Sequence, residues 1–312
     1  MLPDTPQTPI PLARETLVGA ITAFLHSQPR RSLVLIRRAL HRAIDDAGTD
    51  AMAQLSAQLG TTGADWDYYP SNALARRIHR VLADQLLDGR SNVVGLENVA
   101  RAAGKRVVVF ANHLSYSDAN LIEVLLSRGG AAALADRLTV VAGPKVYSSL
   151  QRRFSSLCFG TIKTPQSSAR SSEDAVMNPR EVARAARRSI EIANDRLRRG
   201  ETLLVFAEGA RSRTRGMQQM LAAVSRYLDE PDTWVLPMGI TGTEELFPIG
   251  EDTIHPVPSV VRVGPLLSAD ELRETAGGNR QVMVDLIGGA IASLLPPEYR
   301  GTYADAADSR NL

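Results

Sequence analysis

Three segments of this 312-residue chain share the spacing His-x4-Asp: His41 to Asp46, His79 to Asp84 and His113 to Asp118. An imidazole beside a carboxylate makes a general base. The carboxylate holds Nδ1–H, fixes the tautomer and steadies the imidazolium that forms. Context separates the three. His41 and His79 lie in helical runs, where residues five apart sit about 140° apart round the axis and do not face each other; both are expected at the surface. His113 follows the apolar run Arg106–Phe110 after two intervening residues and precedes an apolar helix. Ser115 and Asp118 have the spacing of a capping box with Asp in place of Glu. A strand, a turn and a helix start let Asp118 fold back towards the His113 ring. The plain alternative makes Asp118 a helix cap and His113 a loop residue.

A base needs a proton to take. The chain has no GxSxG elbow and no HExxH helix, and it lacks the GxGxxG and GxxxxGK[ST] phosphate loops. The proton is therefore expected on a hydroxyl of the substrate. A second cluster could hold that substrate. Phe206-Ala-Glu208-Gly209-Ala-Arg211-Ser-Arg213 follows the apolar run Thr202–Phe206. Arg211 and Arg213 place two guanidinium groups beside a turn, and guanidinium is suited to two-point recognition of phosphate or carboxylate. The chain has 33 Arg but only 3 Lys, at 105, 145 and 163. Lys145 and Lys163 each stand at the end of an apolar run, and with the Arg pair they could ring one anionic pocket. The competing explanation is a set of solvated basic residues in an Arg-rich chain.

The elements that must position these groups read as two regions. Residues 1–10 read as a loose tail. Residues 1–90 read as a helical N-terminal domain, with Leu33, Ile36, Leu40 and Ile44, then Ile78, Leu82 and Leu86, at helical spacing. Breakers fall at Gln28-Pro29, Asp46-Ala-Gly48, Gly60–Gly63 and Pro70-Ser-Asn72. No strand is legible before Val93. Residues 91–312 change character. Short β-branched runs at 106–110, 138–142, 157–162, 202–206, 234–240 and 260–263 alternate with helical segments at 117–128, 173–199, 217–228 and 280–295. This is the pattern of an α/β domain with a mostly parallel sheet, whose sites lie beyond the C-terminal strand ends. The polar patch Thr164–Asp174 reads as a loop.

Composition narrows the class. The chain is 44% hydrophobic and 22% charged, with a net charge of +2. That balance argues against a general nucleic-acid binder. One cysteine, Cys158, excludes an intrachain disulfide and any multi-Cys metal site. The segment MLPDTPQTPIPLARE has no basic-then-apolar leader pattern. The apolar stretch Leu286–Pro297 is shorter than the roughly 20 residues that span a bilayer. A cytoplasmic protein is expected, peripheral at the inner face of a membrane if it meets one.

The motifs, taken in order, resemble those of the glycerophospholipid acyltransferases. They are Asn112-His113-x4-Asp118, Ala142-Gly143-Pro-Lys145-Val146, Leu157-Cys158-Phe-Gly-Thr-Ile-Lys163, Val205-Phe-Ala-Glu208-Gly209-Ala-Arg211-Ser-Arg213 and Val235-Leu-Pro237-Met-Gly-Ile240. The resemblance covers about residues 106–265. It implies that His113 is the base, that Asp118 orients it, and that Arg211, Arg213 and Lys163 hold the acceptor phosphate, with Lys145 beside them. Glu208 and Gly209 shape the turn of their block. The family usually has Pro before the Glu, where this chain has Ala207. The resemblance implies direct attack of the acceptor hydroxyl on the thioester of acyl-CoA or acyl-carrier protein, with no acyl-enzyme, no metal and no cofactor beyond that co-substrate. The helical N-terminal layout looks more like the soluble plastid-type glycerol-3-phosphate acyltransferases, which makes glycerol 3-phosphate the first expected acceptor and lysophosphatidate or another lysolipid the alternative.

A lipid product implies peripheral membrane contact. Arg31–Ile44 mixes basic and apolar faces, as interfacial helices do, although its apolar side also suits a core. Arg152-Arg153-Phe154 is a second such candidate. The Arg-rich segment 180–199 could dock an acidic carrier protein or be a solvated face. A rival from another class is a catalytically silent lipid-binding or carrier-binding module. A phosphohydrolase would want carboxylate clusters at strand ends, and only Asp118 and Glu208 qualify.

Overall fold

The structure, a computed structural model, describes residues 13–25, 30–165, 177–248 and 254–308. The predicted tail, the Gln28-Pro29 breaker and most of the Thr164–Asp174 loop lie outside these residues.

Three helices open the chain: α1 (Arg14–Phe24), α2 (Arg30–Thr61) and α3 (Ala73–Leu86). Their apolar stripes make one core of Val18, Ile36, Leu40, Ile44, Leu55, Leu74 and Ile78, into which Leu157 of the following region inserts. Burying such side chains contributes roughly 1.5–3 kcal/mol each. Asn72 caps α3 by accepting the Ala75 N–H at 3.0 Å. The expected break at Gly48 is a kink inside α2, where Gly48 takes φ 85°, a conformation open to glycine at no steric cost.

The chain then supplies the sheet. In sequence order come β1 (Tyr68–Tyr69), β2 (Asn92–Val94), α4 (Leu96–Arg101), β3 (Arg106–Ala111), α5 (Asp118–Arg128), α6 (Ala132–Ala135), β4 (Leu138–Ala142), α7 (Leu150–Ser156) and β5 (Gly160–Lys163). These are followed by α8 (Pro179–Arg198), β6 (Thr202–Phe206), β7 (Thr233–Thr241), α9 (Thr243–Leu246), β8 (Val260–Val263), β9 (Leu267–Ser268), α10 (Ala269–Thr275) and α11 (Arg280–Ala292). The strands among the described residues form one sheet ordered β1-β5-β4-β6-β3-β7-β8-β2, with β9 on β7. It is mostly parallel. The antiparallel pairs are β1 with β5, β7 with β8 and β7 with β9.

Central β3 is buried on both faces, as a strand between two helical layers must be. Val108 and Phe110 join the core under α8, α10 and α11. Val107, Val109 and Ala111 join the core under α5. The mixed α/β architecture with an N-terminal helical region is the expected one.

Four boundaries differ from the sequence reading. Tyr68–Tyr69 forms an edge strand before Val93, and two residues are too few to show alternation. Leu157–Phe159 closes the end of α7, so the strand begins at Gly160. The segment predicted as a helix over 217–228 is extended until a 3₁₀ turn at Ala222–Leu228. Its amides are taken by tertiary acceptors: Met217 by the Tyr299 carbonyl, Gln218 by Glu208, Met220 by the Tyr303 hydroxyl and Leu221 by the Ala207 carbonyl. A helix would have to give these bonds up. Helix α8 starts later than predicted, at a capping box of Asn178 and Glu181.

Candidate active site

The site stands at the C-terminal ends of the adjacent parallel strands β3 and β6, registered Ala111 to Phe206. Asn112 leaves β3 but stays tied to the sheet. Its amide donates to the Ile240 carbonyl at 3.0 Å and accepts the Ile240 N–H at 2.7 Å. The next residue is His113.

His113 Nδ1 lies 2.8 Å from Asp118 Oδ2. The same oxygen accepts the backbone N–H groups of Leu114 at 2.7 Å and Ser115 at 3.0 Å. A carboxylate only accepts, so Nδ1 carries the proton and Nε2 presents its lone pair. Asp118 is fully buried, whereas the His113 side chain keeps 18% of its surface exposed. The capping box forms only in half: Asp118 reaches back to the Ser115 N–H, but the Ser115 hydroxyl turns to Ser117 at 3.0 Å. The Phe206 ring stacks on the imidazole, with centroids 4.3 Å apart and planes 21° apart.

The other two His-x4-Asp segments do not form this pair. His41 accepts from Arg14 at 3.0 Å, and Asp46 pairs with Arg77. Asp84 pairs with Arg128. His79 instead lies 3.7 Å from the buried Glu123. Neither ring is on the open surface as predicted; each is half-buried, because each faces a neighbouring helix rather than solvent.

Glu208 joins the two halves of the site. Its Oε1 accepts the His113 N–H at 2.8 Å and its Oε2 the Gln218 N–H at 2.7 Å. The Ser212 N–H donates to the His113 carbonyl at 2.7 Å. Gly209 makes the turn with φ 71°, which side-chain-bearing residues rarely adopt. Ala207, where the family pattern has Pro, is buried in the core under α8.

Of the predicted basic residues, Arg211 stands closest to this turn. Its guanidinium lies 3.7 Å from the ring centroid of Tyr116, a residue of the His113–Asp118 segment. Arg152 from α7 also reaches Tyr116, at 4.4 Å. Burial pushes Arg211 below the usual guanidinium range and the Arg152 charge adds to this, while Tyr116 and Asp118 act the other way. Arg213 is exposed and Lys145 is half-buried. Lys163 is turned towards the N-terminal region. Its ammonium donates to the Gly63 carbonyl at 2.7 Å and sits 4.6 Å from the Trp66 ring centroid.

Sequence reasoning missed Arg152, Tyr116 and Phe206 as parts of the site. Arg152 was grouped with Arg153 and Phe154 as a membrane candidate. The structure corrects that grouping, because Arg153 donates to the Leu59 carbonyl at 3.1 Å and Phe154 packs on the helical core. Among the described residues, no group of three His, Cys, Asp or Glu side chains is placed to hold a metal ion. None of the described helices is long and apolar enough to cross a membrane.

The acyltransferase family model matches residues 90–241. Comparison with curated proteins gives no match. Among solved structures, the chain is similar to the 1-acyl-sn-glycerophosphate (LPA) acyltransferase PlsC from Thermotoga maritima. The identity is 18%, the TM-score 0.45, and the alignment covers 90% of this chain and 99% of that one. The matched span holds the His113–Asp118 pair, the Glu208 turn and Arg211, and over residues 90–241 this chain is similar to the acyltransferase family.

Proposed function

We propose that the protein moves a fatty acyl group from acyl-CoA or acyl-carrier protein to a hydroxyl of a glycerol that carries a phosphate. Glycerol 3-phosphate is the first acceptor to test, and lysophosphatidate, which bears the same phosphate, is the second. The observation that carries this reading is the His113–Asp118 pair, 2.8 Å apart, with Arg211 against Tyr116 in the same turn. The site thus joins a proton acceptor to a cationic anchor.

In this mechanism Nε2 of His113 takes the proton of the acceptor hydroxyl as its oxygen attacks the thioester carbonyl. The new C–O bond forms, the C–S bond breaks, and the departing thiolate takes the proton back from the imidazolium. Asp118 holds Nδ1–H throughout. Arg211 anchors the acceptor phosphate, with Arg213 and Lys145 bordering it. General-base help of this kind is worth about 10²–10⁴-fold.

Peripheral membrane contact belongs to the same proposal. On α2, Ile36, Leu40 and Ile44 are core, but Val34 and Leu35 are half-exposed, with Arg37 and Arg38 beside them. Apolar and basic groups side by side suit an anionic lipid surface.

The experiment is thioester consumption by purified protein, with palmitoyl-CoA and acyl-carrier protein each offered with glycerol 3-phosphate or lysophosphatidate. Acylation of either acceptor supports the reading and names the acceptor. No turnover with any pair overturns it in favour of another acceptor or a silent binding module.

A further inference from the structure

Two like charges share one aromatic ring beside the base. Arg211 and Arg152 both stand over Tyr116, at 3.7 and 4.4 Å. Their mutual repulsion contributes to the lowering at Arg211. Elsewhere the chain spends carboxylates freely on its arginines: Arg80 meets Glu123 and Asp136, Arg76 meets Asp136, and Arg196 meets Asp195 and Glu201. Among the described residues, neither Arg152 nor Arg211 has a carboxylate within ion-pair distance. Two half-buried cations held together, with Asp118 acting on Arg211 only from beyond ion-pair distance, are costly. An arriving anion removes that cost.

Arg152 is also aimed. Its Nη1 donates to the Lys145 carbonyl and to the Ser148 hydroxyl, each at 3.1 Å. These bonds fix the plane of the guanidinium and leave the Nε–H and Nη2–H donors, the edge that makes two-point contact with phosphate oxygens. A phosphate monoester carries a charge of about −1.5 to −2 near neutral pH, which matches two guanidinium groups and exceeds what one supplies.

We infer that Arg152 is the second guanidinium of an anion site that binds the phosphate monoester of the acceptor, with Tyr116 as the spacer that holds it against Arg211. This rests on the acyl-transfer reading above. Acyl-CoA also carries phosphates, but a whole pantetheine arm separates them from its thioester carbonyl. The acceptor's phosphate is joined to its reacting hydroxyl by a short glycerol chain. Tyr116 lies inside the His113–Asp118 turn, so an anion held there is close to the base, where the acceptor's phosphate belongs.

The test uses Arg152→Gln and Arg152→Lys in the full chain, with acceptor and acyl-CoA varied separately. Loss of a charge-assisted contact predicts a rise of roughly 10- to 100-fold in acceptor KM for Arg152→Gln. The acyl-CoA KM is expected to stay unchanged, and Arg152→Lys should recover part of the loss, because charge returns without the fork. An unchanged acceptor KM overturns the inference. So does a rise confined to the acyl-CoA KM, which would assign the pair to the donor's phosphates. Calorimetric titration of each folded protein with glycerol 3-phosphate and with inorganic phosphate, in the absence of thioester, separates this inference from the reaction itself. Weaker binding by Arg152→Gln supports the anion site even where no acyl transfer is found. Equal binding by both proteins, or none by the wild type, overturns it. Should the Gln variant fail to fold, the Lys variant carries the same comparison, with its affinity expected between wild type and none.

Discussion

Glu208 grips the backbone of His113 from across the sheet end: its Oε1 accepts the His113 N–H at 2.8 Å. Its other oxygen accepts the Gln218 N–H, so one buried carboxylate ties the base turn to the extended segment that follows the Arg211 block. Glu208→Gln keeps one accepting oxygen and turns the other into an NH₂ group facing an N–H. The expected loss of stability is about 1–3 kcal/mol, with a fall in kcat because the imidazole is no longer held. Thermal melting followed by circular dichroism, together with initial rates, checks both. An unchanged melting temperature would show that the two amides find other partners.

Asp118 Oδ2 has three donors around it: His113 Nδ1, Leu114 N–H and Ser115 N–H. In Asp118→Asn an NH₂ group in the Oδ2 place would face all three donors and misplace or flip the imidazole, whereas an amide oxygen there keeps the three bonds but carries no charge to steady the imidazolium. We expect kcat for Asp118→Asn to fall towards that of His113→Ala, itself about 10²–10⁴-fold below wild type. The acceptor KM should be little changed, since neither residue holds the phosphate. Near wild-type turnover by His113→Ala would remove it from the role of base.

Much of this site was legible in the sequence because it follows strands whose runs of β-branched residues mark them plainly. The His113 turn follows β3 and the Arg211 block follows β6, and parallel pairing of β3 with β6 brings the two together. The spacing His-x4-Asp was informative only with that context, since two of its three occurrences sit on helices and point apart. Arg152 was not legible as part of the site. It reaches Tyr116 across a tertiary contact from a short helix, and no local pattern records that approach. Lys163 misled for the converse reason. Its place at a strand end was read correctly, but the direction of its side chain depends on Gly63 and Trp66, about a hundred residues earlier.

Glu123 is a buried charge with a fixed set of partners. It has no exposed side-chain surface, and Arg80 reaches it at 2.5 and 3.0 Å, with Arg76 at 4.0 Å. These bonds join α3 of the helical region to α5, the helix that begins at Asp118. Glu123→Ala removes the buried carboxylate, but Arg80, one-third exposed, and Arg76 both keep Asp136, so the expected loss is about 1–3 kcal/mol. Urea denaturation should show a fall of that size. His79→Ala, which touches the same carboxylate at 3.7 Å, should leave kcat as it is; a large kinetic loss there would bring a second histidine into the chemistry.

Cys158 is fully buried. Burial pushes its thiol far above the usual range, and the nearby Glu123 charge adds to the shift. The thiolate is the reactive form. Iodoacetamide should therefore leave the native protein unmodified at pH 8 and alkylate it once in denaturant, as read by intact mass. Rapid labelling of the native state would contradict the burial.

Lys163→Met distinguishes a structural tie from a phosphate ligand. The ammonium donates to the Gly63 carbonyl at 2.7 Å and lies over Trp66. Gly63 has φ 88°, and a Cβ there would stand 2.4 Å from the Cβ of Tyr147, so the loop that receives the lysine has little room to change. Met keeps the aliphatic stem and removes the charge and the donor. A hydrogen bond from a charged group is worth about 1.5–3 kcal/mol, and the melting temperature should fall accordingly while the acceptor KM holds. A stable variant with a raised acceptor KM would instead return Lys163 to the phosphate clamp. That result would require the side chain to leave Gly63 when the acceptor binds.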